Sequence, residues 1–97
     1  MQDLRAELAE SLDEAELDWL KPHIQRDVVV VVHQQLDLLD VGVAIATDDV
    51  VSVQHWISEQ LLHKPFPEQI ADWNSGQTKR FQALIVQPYV LVQESAA

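Results

Sequence analysis

The sequence predicts an α+β domain, with five helices packed on a small sheet of three to four strands in the order α-α-β-α-α-β-α-β. Three observations predict it. Val28 to Val32 are five β-branched residues in a row, a run that fits a pleated surface better than a helix. Phe81 to Gln93 is strongly β-prone. Between and before these runs, apolar residues recur at helical spacing among good helix formers.

Leu4, Leu8 and Leu12 fall at four-residue steps and predict a first amphipathic helix. Ser11 or Asp13 is placed to cap a short second helix, in which Leu17 and Leu20 share a face with Trp19 beside them. Pro22 discourages its continuation. The unbroken run Val28 to Val32 predicts a strand covered on both faces. From Leu36 to Thr47 the pattern is a helix with two apolar stripes. Leu36, Leu39, Val43 and Ala46 form one, and Leu38, Val41 and Ile45 the other. Gly42 lies between them, where it lowers helix propensity by about 1 kcal/mol but admits a close neighbour.

Thr47, Asp48 and Asp49 offer caps for the next helix, whose inner face is read as Val50, Val53, Ile57 and Leu61, with Trp56 at its margin. Leu61 to Lys64 suggests a short strand. Pro67 suits the first turn of a helix carrying Ile70 and Trp73, and Gly76 its end. Fully extended, Phe81 to Gln93 would reach about 43 Å, too long for one strand here, and Pro88 marks the bend. The whole chain, 1–97, reads as a single domain with frayed ends at 1–2 and 95–97.

Composition narrows the function classes. With 47% hydrophobic residues the chain has enough apolar material for a core. The absence of cysteine excludes disulfides, thiolate metal sites and cysteine nucleophiles. No secretory leader pattern opens the sequence, and no apolar run approaches membrane-spanning length, so a cytoplasmic protein without membrane association is expected. The formal net charge is −10, with seven acids and one base among residues 1–20. That surface repels phosphate backbones, and no nucleic-acid partner is expected.

No constellation makes a convincing catalytic, cofactor or metal site. Asp48, Ser52, His55 and Glu59 share a helical stripe, but the first and third are about 10.5 Å apart along the axis, too far for one carboxylate to orient the imidazole. No two histidines have ligand spacing on one helix. Trp19, Trp56, Trp73 and Phe81 are read as core.

The run Leu36-Asp37-Leu38-Leu39-Asp40-Val41-Gly42-Val43-Ala44-Ile45-Ala46, then Asp48-Asp49, Trp56-Ile57, Leu62 to Pro65, Trp73 and the ending Leu84-Ile85-Val86-Gln87-Pro88-Tyr89-Val90-Leu91-Val92-Gln93-Glu94, carry a family resemblance. Together they resemble a family of bacterial proteins of about 100 residues, from cyanobacteria and proteobacteria, classed as a domain of unknown function. The resemblance spans residues 4 to 94. It implies a stand-alone cytoplasmic domain, and it carries no activity, cofactor or catalytic residue over to this chain.

The leading expectation is therefore a non-enzymatic interaction or adaptor module, a homodimer or partner of another protein, with Leu38, Val41 and Ile45 as the contact surface. The alternative is a small-ligand- or metal-binding protein, or minor enzyme, whose site gathers His33, Asp48, Asp49, His55, His63 and Tyr89 from separated positions. A pocket uniting three of those six would favour it.

Overall fold

The computed structural model describes residues 3–75 and 80–94. The elements run α1 (Leu4–Ser11), β1 (Asp13–Glu16), α2 (Leu17–Gln25), β2 (Val29–Val32), α3 (Leu38–Ala46), α4 (Val50–Ser58), β3 (Leu62–His63), α5 (Pro67–Trp73), β4 (Arg80–Val86) and β5 (Tyr89–Glu94). The strands form one mixed sheet, ordered β1-β4-β5-β2-β3. Neighbours are antiparallel except β2 and β5, which run parallel.

The fold class is the expected α+β, but the sheet has five strands rather than three or four. One extra strand comes from the bend at Pro88, which divides the C-terminal β run into the β4–β5 hairpin. The other is β1, in the place assigned to a helix cap. Its sequence, Asp-Glu-Ala-Glu, has a single apolar residue. Pairing decides its structure: Ala15 sits opposite Phe81 and is buried with it, while Glu14 holds Arg80 at 3.0 Å. Helix α2 follows at once and runs through Pro22. Pro22 removes one intrahelical donor at about 3 kcal/mol, opposed by the burial of Leu20 and the packing of Ile24 against the sheet.

Alternation along the strands sends side chains to two cores. Val29, Val31, Phe81, Ala83, Val90 and Val92 face α2 and α5, where Trp73 meets Phe81 edge-on at 4.9 Å. Val32, Leu84, Val86 and Leu91 face the opposite layer, containing α1, α3 and α4. Each fully buried Leu or Phe contributes about 1.5–3 kcal/mol of transfer free energy. Trp19 departs from its core assignment and is exposed against His23.

Helix α3 is shorter than the sequence pattern suggests. Asp37 caps it by accepting from the Leu39 amide at 2.8 Å, leaving Leu36 in the preceding loop. It is the middle of its layer, touching β4 and β5 below, α1 on one side and α4 on the other. Leu38 and Val41, offered above as a contact surface, are 3% and 0% exposed and belong to the core. Ile45 is half-buried. Both stripes are apolar because α3 has structural neighbours on two sides. Gly42 makes that seat: a Cβ there would stand 2.6 Å from Leu84 Cδ2 and 3.4 Å from Leu8 Cδ1. At the edge of this contact, the Arg5 guanidinium bonds both Asp37, at 2.9 Å, and Asp40. The Asp40 hydrogen bond raises the Arg5 pKa above its ordinary value.

Three helices end alike, without glycine. After α2, α3 and α4, the residues Asp27, Asp48 and Gln60 take φ of 64°, 60° and 62°. Their amides donate to Ile24, Ile45 and Ile57, and the following amides donate to His23, Ala44 and Trp56. This is the left-handed cap usually built on glycine. Its use of Asp and Gln explains why these ends carry no glycine signal in the sequence.

Two predictions follow from these contacts. Gly42→Ala is expected to lower stability by about 1–2 kcal/mol, its helix-propensity gain being smaller than the clash with buried Leu84; Leu84→Val in the same chain should recover part of the loss, read from denaturant midpoints. Gln60→Gly should raise stability by about 0.5–1 kcal/mol, since the left-handed conformation strains the longer side chain.

Candidate functional site

The layer containing α3 is incompletely closed at α4. Asp49 caps this helix: one carboxylate oxygen accepts from the Ser52 amide at 3.2 Å, the other from the Ser52 hydroxyl at 2.8 Å. From Val50 to Ser58 the helix carries no charged side chain, unlike the other described helices, in a chain whose residues are 23% charged. Val53 and Trp56 turn inward and pack on the core. Val50, Val51 and Ile57 are 50%, 80% and 54% exposed. The inner face read from the sequence is therefore corrected: Val53 and Trp56 occupy it, and Val50 and Ile57 flank an opening. The physical reason is position. Among the described residues, helix α4 has α3 and the two-residue edge strand β3 as its principal neighbours, too little to cover a wider stripe.

The opening is a groove of about 490 Å³. Ala44, Ile45, Val50, Val53 and Ile57 supply its helical wall, and Val30, Leu62 and Tyr89 its sheet side. Asp48, Asp49, Gln54, His63 and Lys64 contribute the polar positions. The fold thus brings together Asp48, Asp49, His63 and Tyr89, four of the six dispersed candidates, and leaves His33 and His55 outside the groove lining.

Their individual geometries differ. Asp49 is committed to the cap. Asp48 occupies the left-handed position between α3 and α4 and is exposed. The His63 ring stacks on Phe66 with centroids 4.5 Å apart, and its Nδ1 lies 2.8 Å from the Lys64 carbonyl oxygen. Lys64 pairs with Asp27 at 2.6 Å. Elsewhere, His33 Nδ1 accepts from the Gln35 amide at 3.0 Å. Among the described residues, no group of three or more His, Asp or Glu side chains is arranged to hold a metal ion. The groove is chemically an apolar trough with an acidic entrance, and Ile45 is the one predicted contact residue that lines it.

The sequence reading missed Val50, Val51 and Ile57 as surface residues. A signal was present: nine successive uncharged positions in a helix bounded by Asp49 and Glu59.

A family model described as "Protein of unknown function (DUF2288)" matches residues 3–94. The chain belongs to this family. Its fold is similar to the NMR solution structure of PA1075 from Pseudomonas aeruginosa, with a TM-score of 0.81 and 30% sequence identity, over 100% of this chain and 89% of that one. No curated protein matches the chain. Among the described residues, no helix of this DUF2288 member is long and apolar enough to cross a membrane.

Exposure and packing should separate cleanly along α4. Val51→Gln and Ile57→Gln are expected to leave stability within about 0.5 kcal/mol, whereas Val53→Ala, which removes packing from the core side, should cost about 1 kcal/mol or more. Urea titrations of the three variants check this.

Proposed function

We propose that this DUF2288 member is a non-enzymatic protein-interaction module that docks another polypeptide on α4 and the groove beside it. The observation that carries the reading is the uncharged outer face of α4, with Val50, Val51 and Ile57 left in water. Interface cores are depleted in charge, and covering apolar surface returns about 25 cal/mol per Å². The surrounding acidity keeps the chain dispersed while leaving this patch free of like-charge repulsion. In this reading the protein works in the bacterial cytoplasm as a homodimer or small adaptor, without cofactor, membrane or nucleic acid. The bacterial source of its structural relative and the net charge of −10 support that setting.

A second reading has its own observation. The groove gathers Asp48, Asp49, His63 and Tyr89, and about 490 Å³ falls within the range of small-molecule sites. Against catalysis, both Asp49 oxygens accept from Ser52 and His63 stacks on Phe66, and among the described residues no hydrogen bond joins this carboxylate to this imidazole.

Native mass spectrometry of the untagged protein, purified from its own host without chelator, tests both. The expected result is a homodimer or a defined complex with a second protein, lost in Val51→Glu while the circular dichroism spectrum is retained. A strict monomer with no captured protein overturns the interaction reading. A reproducible small mass increment on that monomer supports the second.

A further inference from the structure

We infer that the occupant of the α4 groove is an amphipathic helix of a different protein, with a row of bulky apolar side chains and lysines or arginines along its edge. The inference rests on the interaction reading above and adds the partner's chemistry. Three observations carry it.

The first is shape. Val50, Gln54 and Ile57 fall on one ridge of α4 at helical spacing, and the groove they border is apolar. A helix ridge packs well against the side chains of a second helix, with apolar residues three and four apart as anchors.

The second is charge at the groove. Its ionisable lining comprises Asp48, Asp49, His63, Lys64 and Tyr89. Lys64 is neutralised by Asp27 at 2.6 Å. Among the described residues, neither Asp48 nor Asp49 has an ion-pair partner, and Asp48 has no capping bond to occupy it. The groove therefore presents an acidic end beside an apolar floor, within a chain of net charge −10. A cationic helix edge matches both.

The third removes the second copy as occupant. Counting Lys and Arg, no described helix of this chain has an excess of bases: α1 holds Arg5 against Glu7 and Glu10, α2 Lys21 against Asp18, α3 only Asp40, α4 none (its one basic side chain is His55), and α5 only Glu68 and Asp72. None of the described helices is the Lys- and Arg-rich helix that the groove selects.

The test uses the whole ¹⁵N-labelled protein and two synthetic helix-forming peptides of about 12 residues, or three turns. Both carry leucines at helical spacing; one has lysines at its polar positions and the other glutamates. The lysine peptide is expected to shift amide signals of residues 44–57 and 62–64 and to weaken as salt rises from about 0.05 to 0.5 M. The glutamate peptide should bind far less. In the Asp48→Asn/Asp49→Asn variant, where Asn keeps both the cap and the left-handed turn, the lysine peptide should bind about three- to tenfold more weakly.

Equal binding of the two peptides, or unchanged affinity in the double variant, overturns the cationic partner and leaves the interaction module standing. Shifts of the same residues that depend on protein concentration alone would replace the partner with a second copy. If neither peptide perturbs the groove, the inference fails, and the native complex with its Val51→Glu control judges the interaction reading separately.

Discussion

The close seat of α3 on the sheet at Gly42 is the contact on which the rest of the arrangement depends. Without a Cβ at that position, α3 lies directly on Leu84 and Val86 while admitting Leu8 of α1 at its flank. Leu38 and Val41 then reach Leu84 and Leu91 in a shared core. Close approach lets this nine-residue helix bury Leu38, Val41 and Ala44 and partly cover Leu39, Val43 and Ile45, something a longer interaxial distance would leave more hydrated. The Arg5 contacts with Asp37 and Asp40 orient the same helix pair from the solvent side. Exposed ion pairs of this kind add little energy, so they complement the apolar seat and do not replace it.

That central position has a consequence at the edge of the layer. Helix α3 takes the sheet's middle strands, and α4 is displaced to the two-residue β3 edge. A nine-residue helix on so short a strand can bury only a narrow stripe. Its remaining apolar side chains form one wall of a groove, whose other side comes from β2, β3 and β5. The acidic residues at the α3–α4 turn have local structural roles, Asp49 as a cap and Asp48 in the left-handed link. Structural need and the acidic character of the groove thus arise from the same two residues.

Sequence patterns predicted most elements because local preference and tertiary environment agreed. The valine run became a strand covered on both faces, Pro88 divided the last β segment, and Pro67 opened α5. Gly76, read as the end of α5, lies outside the described residues. Disagreement concentrated where pairing outweighed local chemistry. β1 is nearly all acidic and is a strand because β4 offers it an edge. Leu38 and Val41 looked available for a partner because periodicity counts apolar faces without saying how many neighbours a helix has. The candidate site was legible only as scattered residues, since Tyr89 and Asp48 are joined by the β2–β5 pairing and the α3–α4 turn.

By itself, the sequence determined the α+β class, the acidic character, the absence of cysteine chemistry and the approximate course of the helices and strands. These follow from composition and from periods of two to four residues, which short-range sterics and solvation control. Only the tertiary structure decided that Leu38 and Val41 turn into the core with Leu39 and Ile45 packed beside them, that the outer face of α4 stays uncovered and that a groove opens beside it. The physical reason is that burial belongs to pairs of elements: a side chain's pattern sets which way it points, and strand order and helix seating set whether anything is there to meet it.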